Sequence, residues 1–125
     1  MSADPAGRLG RTYGERTAWA LSEILRACET GAHLVHRGRA WFDDDPDGVP
    51  WLAAENLVIR VGENVARLDP RFCADHPAVP WRVIKDMRNR LTHYYEATDH
   101  DVVWSTLAAD FPILAAQIRD LLEQA

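Results

Sequence analysis

The stretch PWRVIKDMRNRLTHYY, residues 80–95, decides how this chain is read. Pro80 suits a helix start, and Trp81, Ile84, Met87 and Leu91 recur at three- and four-residue spacing, which marks a helix with one apolar face. Its second half, RNRLTHYY, gathers two guanidiniums, an amide, an imidazole and two phenols, more polar chemistry than packing requires. Arg88 and His93 are five residues apart, about 140° around an ideal helix, so one straight helix does not aim both at a small target. Their cooperation requires a bend near Thr92 or a second chain. Asn89 and His93 are four apart and share a face, which lets Asn89 orient the imidazole. Arg88 and Tyr95 share another. The plainer reading leaves Arg88 and Arg90 solvated, pairs Asp86 with Arg90 at i,i+4, and packs Tyr95 against Trp81, Ile84 and Leu91.

Working outward, the helical pattern continues on both sides. Upstream, Pro50 opens a helix to about Leu68 whose stripe is Ala54, Leu57, Val58, Val61, Val65 and Leu68. Gly62 inside it costs about 1 kcal/mol relative to alanine, which a close helix–helix contact would explain. Thr12 to about Arg37 reads as another helix, and DDDPDGVP, residues 43–50, as the linker between these two. Residues 1–11 read as a flexible leader, and Asp69 to Val79 as a loop carrying Pro70 and Pro77. Downstream, Asp99-His100-Asp101 caps a helix that turns Val103, Trp104 and Leu107 inward. Pro112 marks a break or first turn before a last helix with Leu114, Ala115, Ile118, Leu121 and Leu122. No segment alternates as a strand would. The expectation is an all-α bundle of four to five helices, with one domain over residues 12–125.

At 125 residues, 47% hydrophobic and 26% charged, the chain can bury a modest core. No apolar run approaches the ~20 residues of a membrane span, and Asp4 and Pro5 interrupt any signal-like start, so a cytoplasmic protein is expected. Cys28 and Cys73 have no CxxC partner and read as reduced, small apolar residues. A net charge of −5 argues against general coating of nucleic acid. Between Arg82 and His93, however, stand Arg82, Lys85, Arg88 and Arg90 against Asp86 alone, a basic patch on an acidic body that suits a focused anion site.

Other candidates are weaker. Asp43, Asp45, Asp47 and Gly48 open like a calcium loop, but the twelfth position is Ala54, and Glu55 is one residue out of register for the bidentate ligand. A solvated acidic turn is the better reading. His33 and His36 have metal spacing without a completing ligand nearby and read as surface histidines. No metal or cofactor is expected.

The motif Arg88, His93 and Tyr95, an R-x4-H-x-Y pattern, resembles the signature of HEPN domains of the HepT toxin type. HPAVPWRVIKDMRNRLTHYY and ATDHDVVWSTLAADFPILAAQI are similar to the second half of such proteins, and NLVIRVGENVARL to their I-G-E-A-A helix, including Gly62 and Glu63. The resemblance covers residues 50–122. It implies a HEPN-like homodimer and a metal-independent endoribonuclease toxin, with Arg88 and His93 catalytic and Asn89, Arg90, Lys85 and Arg82 supporting the RNA. His93 from each chain would do acid/base work and Arg88 would meet the phosphate charge, leaving a 2′,3′-cyclic phosphate. It further implies a minimal nucleotidyltransferase antitoxin of the MntA type that adenylylates Tyr95, shutting the cleft with anionic bulk. Tyr94 stands where the family often has glycine, which adds bulk beside the site. The competing readings are a catalytically silent HEPN docking partner of a nucleotidyltransferase and a plain helical dimerisation protein.

Overall fold

The computed structural model describes residues 5–93 and 100–124, with side chains for residues 7–89 and 100–123. Every described element is helical: α1 (Pro5–Tyr13), α2 (Glu15–His36), α3 (Arg39–Asp44), α4 (Val49–Ala66), α5 (Pro70–Asp75), α6 (Trp81–His93), α7 (His100–Ser105) and α8 (Phe111–Gln124), with a π-helical turn at Thr106–Asp110 joining the last two. The long helices α2, α4, α6 and α8 carry the fold. Helix α4 packs between α2 and α6, and α2 also packs on α8. The all-α bundle expected from the sequence is the one observed.

The core follows from the apolar stripes. Leu21, Ile24 and Cys28 of α2 meet Ala54, Val58, Val61 and Val65 of α4, all buried. Val103, Leu107, Leu114, Ala115 and Ile118 close the other side. Burying a side chain of this size contributes about 1.5–3 kcal/mol.

Two segments depart from the sequence reading. Residues 5–11, assigned to a flexible leader, belong to α1: Leu9 is 3% exposed in the core. Tyr13 Oη donates to Asp75 Oδ2 at 2.8 Å and its ring meets Phe72 edge-on at 5.1 Å, tying α1 to α5. Gly14, at φ 99°, makes the break before α2. Residues 69–79 are only partly a loop, because Asp69 caps α5 by accepting from Arg71 N at 2.8 Å, with Pro70 in the first turn. Pro112 falls in the first turn of α8, as the sequence allows, yet the chain before it does not leave the helix. Phe111 N donates to Thr106 O, and this wide π turn includes Ala108, whose carbonyl an α-helical proline at 112 would strike. The chain therefore stays helical from His100 to Gln124. The turn places the Phe111 ring over Gly31, where an added Cβ would lie 2.9 Å from Cδ2.

The acidic linker behaves as a turn. Asp45 Oδ2 accepts from Asp47 N and Val49 N, both at 3.1 Å, and Gly48 adopts φ 67°. Helix α7 is held at its first residue: the His100 ring stacks on Trp51 with centroids 3.8 Å apart, and Nδ1 lies 3.5 Å from Asp43 Oδ1. The expected cap at Asp99 lies outside the described residues.

Candidate active site

The site is built where α6 crosses α4 at its closest approach. A Cβ on Gly62 would stand 2.2 Å from Arg88 Cβ, 2.9 Å from Cγ and 3.3 Å from Cδ. Only glycine at 62 admits the arginine stem, which accounts for a glycine in the middle of a helix. The next residue holds the arginine head: Arg88 Nη1 donates to Glu63 Oε1 at 3.2 Å. Asn89 Oδ1 completes the clamp, accepting from Arg88 Nε at 3.0 Å and from Nη2 at 2.5 Å. The Arg88 side chain is 19% exposed, so its guanidinium is largely sheltered and fixed on two edges.

This arrangement changes the geometry inferred from the sequence. Helix α6 continues as an α-helix through His93. The 140° offset between positions 88 and 93 therefore stands for the backbone. The long arginine side chain nevertheless wraps around the helix to Asn89, the residue one turn before His93. The guanidinium is thus held at Asn89, a position on the stripe 82, 86, 89 and 93.

Of the predicted site residues, Arg88 and Asn89 are brought together, and Lys85 and Arg82 stand exposed one and two turns earlier on α6. Arg82, Lys85 and Asn89 line a cleft of about 390 Å³ between α6 and the end of α4 with α5. The side chains of Arg90 and His93, and Tyr94 and Tyr95 altogether, lie outside the described residues. Glu63 is the partner that residue chemistry alone did not single out, though the Gly62-Glu63 pair was a visible signal. On another flank of α6, Ile84 and Met87 join Val58 and Leu114 in an apolar groove of about 290 Å³, and Val83 and Ile113, which also line it, are 65% and 60% exposed.

The remaining candidates stay apart from this centre. His33 and His36 are exposed on α2, and among the described residues no three His, Cys, Asp or Glu side chains are grouped to hold a metal ion. No helix among them is long and apolar enough to cross a membrane. Burial pushes the Cys28 thiol up to about 12 and raises that of Cys73, which leaves neither as a ready thiolate.

The chain is similar to known proteins over most of its length. A family model described as "Ribonuclease HepT-like" matches residues 34–121. "Putative RNase TTE0752" of Caldanaerobacter subterraneus subsp. tengcongensis is 31% identical over 104 residues, 83% of this chain and 92% of that protein. "Probable ribonuclease HepT" of Thermococcus cleftensis is 34% identical over 61 residues, 49% of this chain and 56% of the other. No solved structure gives a significant match. A matched segment that contains the whole of α4 and α6, with Gly62, Glu63, Arg88, Asn89 and His93 in it, shows that the chain belongs to the HepT-like ribonuclease family.

Proposed function

We propose that this protein is a metal-independent endoribonuclease toxin, cytoplasmic and homodimeric, that cleaves RNA through Arg88 and His93. The 2′-hydroxyl attacks the adjacent phosphorus, forming a P–O2′ bond as the P–O5′ bond breaks. A base removes the 2′ proton, and an acid delivers one to the departing O5′, leaving a 2′,3′-cyclic phosphate. Imidazole suits both tasks near neutral pH, and a dimer supplies two copies of His93. The apolar groove beside α6, with Val83 and Ile113 exposed, offers that second copy a surface to bury against.

The observation that carries the reading is the Glu63–Arg88–Asn89 clamp. It holds a guanidinium in one orientation one helical turn before His93, which is what stabilising charge on a pentacovalent phosphate demands. Asn89, through Nδ2, donates to phosphate or orients His93, while Arg90, Lys85 and Arg82 hold the RNA backbone.

Regulation completes the proposal. A minimal nucleotidyltransferase antitoxin of the MntA type adds adenylate to Tyr95, and the added phosphates compete for Arg88.

The test is cleavage of RNA by the purified, unmodified protein in excess EDTA, set against His93→Ala. Histidine-dependent cleavage with cyclic phosphate ends is expected, from particles near twice 14.1 kDa by light scattering. Absence of cleavage under every condition tried would sink the enzyme and favour a docking partner of the transferase. Cleavage lost in EDTA would sink the metal-free mechanism. Adenylate mass that persists in Tyr95→Phe would move the modification to Tyr94.

A further inference from the structure

The cleft beside the clamp joins an apolar part to a basic one. The exposed Ala66 and Pro70, backed by the buried Val65, Leu68 and Trp81, form its apolar part, and Arg82, Lys85 and Asn89 its polar part. Trp81 is fixed there, its Nε1 donating to His76 O at 3.0 Å and its ring packed near Phe72. Asp86 also lines the cleft, leaving two cations against one carboxylate. At about 390 Å³ the space falls within the ~300–1,000 Å³ that small-molecule sites occupy.

Its position is as telling as its lining. Arg82, Asp86, Asn89 and the His93 position follow one another at steps of four, three and four along α6, so the cleft opens on the stripe that leads to His93. Asn89 belongs to both structures: it lines the cleft and it holds the Arg88 guanidinium.

We propose that this cleft is a substrate subsite that takes one unpaired nucleotide of the RNA, next to the bond that is cut. The base enters against the apolar wall, and the phosphates flanking it rest on Arg82 and Lys85. The proposal rests on the ribonuclease reading and sharpens it to a substrate class, single-stranded RNA, because a base inside a protein cleft is unstacked from its strand. Duplex RNA presents only backbone to such a surface.

The test separates the subsite from the chemistry. Equilibrium anisotropy is measured on the non-cleaving His93→Ala protein with a fluorescein-labelled mixed-sequence RNA of about ten nucleotides, single-stranded or annealed to its complement. Ala66, exposed at the end of α4, lines the cleft without touching the clamp. Ala66→Trp should fill the space and weaken single-strand binding about tenfold while leaving the duplex unchanged, consistent with the loss of one base contact. Arg82→Ala with Lys85→Ala, both exposed and harmless to the core, should flatten the log–log salt dependence by about 1.4, the share of two phosphates. Single-strand affinity within twofold in Ala66→Trp, or an unchanged salt slope, would overturn the subsite. A wild type that never cleaves yet binds single strands through the cleft would overturn the ribonuclease reading and leave the cleft a nucleotide-binding site of a non-cleaving protein. A cleaving enzyme insensitive at 66, 82 and 85 would do the reverse.

Discussion

Replacing Gly62 with alanine tests the site through a residue with no chemistry of its own. The added Cβ would stand 2.2 Å from Arg88 Cβ, whereas carbon atoms settle at about 3.5–4.0 Å. Helices α4 and α6 must therefore part locally by about 1.3 Å, or the arginine stem must swing aside. Overpacking of this kind costs about 1–3 kcal/mol, and the better helix propensity of alanine returns about 1. The net loss of stability is about 0–2 kcal/mol, small enough to leave the protein folded. Activity should suffer far more. The displaced group is the guanidinium clamped by Glu63 and Asn89, and a misplacement near 1 Å costs on the order of a hundredfold in rate. Thermal melts followed by circular dichroism, with RNA cleavage measured well below the melting point, would show the two effects separating. Gly10→Ala is the matched control: its nearest neighbour is 3.7 Å away in a helix, so it should hold or raise stability and leave cleavage alone. Cleavage within twofold of wild type in Gly62→Ala would refute the dependence of the chemistry on this crossing.

Two further outcomes follow from the fold. Leu9→Ala should cost about 2–3 kcal/mol in urea unfolding, since Leu9 is buried in the core, and a change below about 0.5 would return α1 to the status of a loose leader. Burial raises the pKa of Glu55, with His100 opposing. A carboxyl raised on folding leaves stability intact below its unfolded range and lowers it as pH climbs through the folded value. Glu55→Gln should therefore raise the melting temperature at neutral pH and remove that decline, and an unchanged pH profile would contradict the assignment.

Much of the architecture was legible because the long helices carry strict apolar stripes. Every residue of the α4 stripe is buried, and Gly62 sits at the close contact its cost implied. Helix α1 escaped notice because PAGRLGRTY carries two glycines, a proline and a single core residue, so it owes its order to contacts with α2 and α5 rather than to propensity. Helix α5 did carry its signal, an Asp69 cap followed by Pro70, but the prolines around it argued more loudly for a loop. In the site, the described backbone keeps the helical spacing that sets positions 88 and 93 apart and puts 89 and 93 on one face. What spacing could not contain is the path of a long flexible side chain, and Arg88 wraps to Asn89 by a choice of rotamer that only packing against Gly62 and pairing with Glu63 determine.

The π turn at Thr106–Asp110 gives the last fifth of the chain a reading frame. One residue more per turn rotates everything after it by about 100°, so α7 and α8 are one helix written in two phases. Val103 and Leu107 are buried in the first phase, and Leu114, Ala115 and Ile118 in the second. A relative that lost a single residue between 106 and 110 would turn that second set sideways and lift the Phe111 ring from Gly31. Insertions and deletions at this point are therefore coupled to the whole apolar pattern of α8, and the two can change only together.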